Sequence, residues 1–106
     1  MKEEFINAIR EKNKVRLRFF SKDDGGIIAR ICAPMDYGPS RRAKMKNDRF
    51  HLWDYDSDQV NHVLSLNPDQ VVGLETLEEK FDPSDFVTWD VQKSPWFVSR
   101  DWGEFS

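Results

Sequence analysis

The sequence contains one cysteine, two histidines and no long apolar run. A single thiol, Cys32, closes no internal disulfide, and two scattered histidines beside it do not make a zinc knuckle, so no metal and no cofactor is expected. A membrane-crossing helix needs roughly 20 consecutive apolar residues, which the chain lacks. The opening Met1-Lys2-Glu3-Glu4-Phe5 carries two acids and leads into no apolar stretch, unlike a secretory leader, and the expected location is the cytoplasm. Gly25-Gly26 is not followed by the Gly-Lys-Ser/Thr of a phosphate loop. Ser40, Ser57, Ser65 and the carboxylates form no nucleophile elbow and no acid pair with distinguishable environments, so the chain is not expected to be an enzyme.

What remains is the composition of one folded domain: 106 residues, 39% hydrophobic and 13% aromatic, enough to build a core without staples. The formal charge of -3 conceals a division. Residues 1–50 hold 13 of the 16 Lys+Arg and 7 of the 19 Asp+Glu, a net +6, which leaves -9 for residues 51–106. Such asymmetry suits a basic face for an anionic partner, or two halves that attract each other within one fold.

Residues 3–14 gather Phe5, Ile6 and Ile9 on one helical face, with Glu3 and Glu4 early and Arg10, Lys12 and Lys14 late, as the helix dipole favours. Residues 15–20 alternate as a strand, with Val15, Leu17 and Phe19 inward and Arg16, Arg18 and Phe20 outward. Residues 21–26 make a hairpin turn, and residues 27–33 return as a strand that Pro34 ends. A basic polar connection follows over residues 35–48. Further strands are expected over residues 49–55, 60–66 and 70–77.

One helix and five short antiparallel strands make an α+β domain, mainly β. The strands close most economically into a small five-stranded barrel. Residues 1–87 form the barrel domain with its N-terminal helix. Residues 88–106 are an aromatic C-terminal extension of the same domain. Trp89, Trp96, Phe97, Trp102 and Phe105 give it an aromatic density that requires a surface to dock on, and the outward Trp53 is expected to lie beneath it. His62 reads as a partly buried structural residue and Cys32 as a small buried apolar one.

The order of these pieces resembles the bacterial WYL domain. After the helix and Lys14-Val15-Arg16-Leu17-Arg18-Phe19-Phe20, the stretch Arg49-Phe50-His51-Leu52-Trp53-Asp54-Tyr55-Asp56 stands at the naming motif. Leu64-Ser65-Leu66-Asn67-Pro68-Asp69-Gln70-Val71-Val72 stands at the second motif and Phe81-Asp82-Pro83 at the close. Phe50 and His51 replace the naming Trp and Tyr, and Ser65 and Gln70 occupy positions of family arginines. The resemblance implies an Sm-like, Src-homology-3-like barrel that binds an anionic nucleotide or nucleic-acid-like ligand in regulators of transcription, phage defence and the DNA damage response. Family members commonly carry a helix-turn-helix reader, and one helix is too few for that. The resemblance therefore implies a stand-alone domain, or a sensor whose DNA-binding regulator is encoded separately.

The ligand-binding residues expected on this basis are Arg41, Arg42, Arg49, His51 and Ser65, with Arg16 and Arg18 on a nearby strand, because guanidinium forks match phosphate oxygens. The competing account for each is a solvated surface cation paired to the acidic half. Two other functions remain open: a protein interaction module, as a homo-oligomer or with a separate regulator, and a small Sm-like RNA-binding barrel.

Overall fold

The first turn of the chain is helical because Phe5, Ala8 and Ile9 fall on one face and are buried together, while Glu3 and Glu4 sit in the first turn and Arg10 in the last. In the computed structural model, which describes residues 1–41, 43–58 and 62–106, this helix α1 spans Lys2–Glu11. It ends before the expected Lys14, because Lys12 turns left-handed (φ 59°) and its N–H closes on the Ala8 and Ile9 carbonyls. The chain then runs directly into a strand.

Five strands follow: β1 (Asn13–Ser21), β2 (Gly26–Pro39), β3 (Asp48–Asp54), β4 (Val63–Leu66) and β5 (Val71–Lys80). They form one antiparallel sheet in the order β4-β3-β2-β1-β5. β1 buries Val15, Leu17 and Phe19 and exposes Arg16, Arg18 and Phe20, as the alternation predicts. The hairpin to β2 closes at the Ser21–Gly26 pair, where Gly25 takes φ 70° and donates its N–H to the Ser21 carbonyl at 2.9 Å.

Pro34 does not end β2. It lies past Cys32, the last residue of β2 paired to β1, so its missing N–H falls where β2 has a neighbour on one side only. A register shift between Pro34 and Asp36 lets the strand continue to Pro39, and Met35 and Asp36 become buried strand residues instead of a solvated connection. β5 likewise extends to Lys80, three residues beyond the expected end, and pairs with β1 through two further register shifts. β4 begins at Val63; the first residues expected for it, 60 and 61, lie outside the described residues.

These shifts increase the local bend, and the long β2 carries the sheet around into a small barrel-like domain. The 3₁₀ turn Pro68–Gln70 joins the two edge strands and packs on β1 and β3. From it Gln70 donates its Nε2 to the Phe20 carbonyl at 3.2 Å. Phe5, Ile9, Val15, Leu17 and Leu52 are fully buried inside, with Phe5 edge-on to Phe50 at 4.9 Å. Each such side chain contributes about 1.5–3 kcal/mol of hydrophobic stabilisation.

The C-terminal extension packs back on its own domain. Trp102 is buried and donates its Nε1 to the Ile9 carbonyl at 2.8 Å, tying the tail to α1. Phe81, Phe86, Trp96 and Trp102 form edge-to-face pairs at 5.4–6.1 Å around it. Trp53 is not beneath the tail tryptophans. It lies between His62 at 4.8 Å and Phe86 at 6.0 Å, because the tail is drawn to α1 and to β2 instead. No helix among the described residues is long and apolar enough to cross a membrane.

Candidate functional site

β3 pairs with β2 on one side and β4 on the other, so the residue opposite His51 is Asp36 on β2 and Ser65 on β4. Directly opposed side chains share a face. This brings His51 and Ser65 into contact, with Nδ1 2.8 Å from the Ser65 Oγ. Nε2 lies 2.8 Å from the Gly38 carbonyl oxygen, which only accepts, so Nε2 carries the proton. In the neutral ring Nδ1 then accepts from the Ser65 hydroxyl.

This pair stands in the wall of a cleft of about 260 Å³ between the β2–β3–β4 face and the tail. Arg41 and Ser40 line it from the end of β2, and Trp89, Trp96 and Phe97 line it from the tail. Its volume lies near the lower end of ligand pockets, roughly 300–1,000 Å³, and suits one ring with a charged substituent. Arg41 reaches the cleft through the tail: its Nη2 donates to the Pro95 carbonyl at 2.7 Å and its guanidinium lies 4.8 Å over the Phe97 ring. Its other N–H groups make no hydrogen bond among the described residues.

Of the expected ligand residues, the structure therefore brings together Arg41, His51 and Ser65. Arg49 shares the face of His51 on β3 but lines a different cleft with Met45, Asn47, Asn67 and Asp69. Arg42 lies outside the described residues. Arg16 and Arg18 are not on a nearby strand, since β2 separates β1 from β3, and Arg16 is already paired with Glu75 of β5 at 2.6 Å. The guanidinium groups are thus not gathered on one patch.

The residues that hold the cleft open were not among those singled out from the sequence. Asp36, buried at the back of the cleft, receives the backbone N–H of Phe97 at 2.9 Å and of Val98 at 3.0 Å. Arg100 completes it with an ion pair at 3.1 Å, donates from Nε to the Val98 carbonyl at 3.0 Å, and donates from Nη1 to the Met35 carbonyl. The guanidinium lies between the Trp96 and Trp102 rings, 4.1 and 4.3 Å from their centroids. The one local signal for this was an arginine flanked by two tryptophans in an otherwise acidic half.

No protein-family model matches the chain, and no curated protein matches it. Among solved structures the chain is similar to proteasome accessory factor B/C (PafBC) of Arthrobacter aurescens, at 21% sequence identity and a TM-score of 0.63. The match covers 84% of this chain and 13% of that one. At this identity the likeness shows the fold alone, a small barrel-like domain.

Proposed function

We propose that this domain is a non-catalytic sensing module of a regulatory protein, and that the cleft between β3, β4 and the tail takes an anionic, nucleotide-like ligand. The observation that carries this is the convergence of Arg41, His51 and Ser65 on one cleft that also presents the rings of Trp89 and Phe97. A phosphate finds a fixed guanidinium, a hydroxyl and an imidazole on one wall. A base finds the partly exposed Trp89 ring on which to stack. The barrel fold shared with PafBC supports a regulatory setting.

The test is calorimetric titration of the full chain against nucleoside mono- and diphosphates and short DNA and RNA oligonucleotides, with tryptophan fluorescence as the second readout. Saturable binding is expected, weakened roughly tenfold or more by Arg41→Ala and by His51→Ala, since hydrogen bonds to charged groups contribute about 1.5–3 kcal/mol. Preference for an oligonucleotide with a steep loss in added salt favours the RNA-binding version of the same barrel. A flat response across the panel overturns the proposal.

A further inference from the structure

Six of the arginines among the described residues can be sorted by what satisfies them. Arg10, Arg16, Arg30, Arg41 and Arg100 each donate to a carbonyl, hydroxyl or carboxylate. Arg49 does not: its guanidinium makes no hydrogen bond and no ion pair among the described residues, and its Nε is buried without a partner. A charged guanidinium without a partner is one that native structures usually satisfy, and because the Nε is closed to solvent, an acceptor in the cleft meets the Nη groups.

The surroundings of Arg49 indicate what that acceptor is. It lines a cleft of about 490 Å³ with Asn47, Asn67, Pro68, Asp69 and Met45. Asn47 donates its Nδ2 to the Asn67 Oδ1 at 3.1 Å, which fixes the amide so that its oxygen is used. The Asn67 Nδ2 makes no hydrogen bond among the described residues. A guanidinium and a free carboxamide N–H₂ on one cleft are donors only. Asp69 is the one carboxylate lining this cleft, and it makes no ion pair with Arg49.

We infer that Arg49 and Asn67 form a second anion site, for a phosphate-type oxyanion, separate from the cleft of His51 and Ser65. The planar guanidinium offers two parallel N–H groups to two oxygens, and the Asn67 amide offers a third donor. Asp69 weakens the site by like-charge repulsion and sets its affinity. The inference stands on the unsatisfied Arg49 and is independent of the ligand proposed for the other cleft.

The experiment follows the arginine Nε–H resonances of the full-length chain by ¹⁵N NMR during addition of inorganic phosphate, with chloride holding ionic strength constant. The Arg49 resonance is expected to shift and saturate, while that of exposed Arg18 moves little. Arg49→Gln abolishes the response, Asp69→Asn tightens binding roughly two- to fivefold, and Arg41→Ala leaves it unchanged. A second arm adds a short oligodeoxynucleotide. A half-saturation well below that of phosphate assigns the oxyanion to a nucleic-acid backbone, and an equal or weaker one assigns it to free phosphate. An Arg49 resonance that moves no more than Arg18, or a shift retained in Arg49→Gln, overturns the site and leaves water as the acceptor.

Discussion

Asp36 and Arg100 stand 64 residues apart in the chain and meet in a buried ion pair at 3.1 Å, with their side chains 9% and 1% exposed. The carboxylate is also the acceptor for the backbone N–H groups of Tyr37, Phe97 and Val98. Four donors on one carboxylate give the ionised form its compensation inside the fold. Burial pushes the Arg100 guanidinium down to about 10, against the pull of Asp36, so it remains charged at neutral pH. The tail, which has no strand of its own, is therefore held to β2 by electrostatics and by the two tryptophan faces around Arg100.

Removing the cation leaves Asp36 as an uncompensated buried charge. Arg100→Ala is expected to cost about 3–5 kcal/mol, the range for one lost partner of a buried pair. For a domain of this size that lowers the melting temperature by more than roughly 10 °C. Arg100→Lys retains the charge but loses the fork and the stacking, and is expected to fall in between. Thermal melts with tryptophan emission as the probe decide the matter. Melting temperatures for Arg100→Ala within a degree or two of the wild type would show that the latch contributes nothing.

Gly38 sits where the Phe97 ring crosses β2. A Cβ there would lie 2.7 Å from Phe97 Cγ and Cδ2 and 2.9 Å from Phe97 Cβ, closer than packed carbons come. Gly38→Ala is therefore expected to destabilise by about 1–3 kcal/mol through overpacking. Phe97 is itself 47% exposed, so Phe97→Ala alone should cost little, and the double variant should recover part of the loss, because the ring atoms go while the Cβ of residue 97 stays 2.9 Å from the added methyl. A double-mutant cycle by chemical denaturation measures this, and strict additivity would show that the two residues do not meet.

The parts of the fold that were legible in the sequence are those fixed by neighbours a few residues away. Val15 to Phe20 alternate, and the sheet follows that alternation residue by residue, because period two is a local property of the strand. The meeting of His51 with Ser65 was legible for the same reason, since two alternating strands around a short connection leave few registers. Pro34 misled because its cost depends on whether a partner faces its nitrogen, which is a tertiary fact. The grouping of Arg16 with Arg49 failed likewise: alternation gives the face of a strand and not its place in the sheet order. Asp36 and Arg100 left almost no trace, because a carboxylate that captures backbone N–H groups more than sixty residues away has no local pattern.

Cys32 is fully buried in β2, and burial together with the nearby Asp54 and Asp56 carboxylates pushes its thiol well up. The thiolate is the reactive form, so the native protein is expected to resist thiol reagents at pH 8 and to react at once in denaturant. The rate of labelling in native buffer then reports the opening of the barrel, and Arg100→Ala should raise it. Rapid stoichiometric labelling of the folded wild type contradicts the burial.

Asp54 is the second buried carboxylate, and its pH dependence has a definite sign. Burial raises its folded value above the ordinary range near ~3.9, and this outweighs the Asp56 N–H that it accepts at 2.9 Å and the Arg30 guanidinium at 3.8 Å. The folded state then binds the proton more tightly than the unfolded chain does. The associated stability is fully present below the unfolded value and is lost as pH rises through the folded one. Asp54→Asn keeps an oxygen for the Asp56 N–H and removes the titration. The stability of Asp54→Asn minus that of the wild type should therefore rise as pH increases from about 4 and level off once the wild-type carboxylate has ionised. Denaturant unfolding at a series of pH values gives this difference directly, with the other carboxylates cancelling, and a difference that falls with pH would reverse the assignment of burial as the dominant cause.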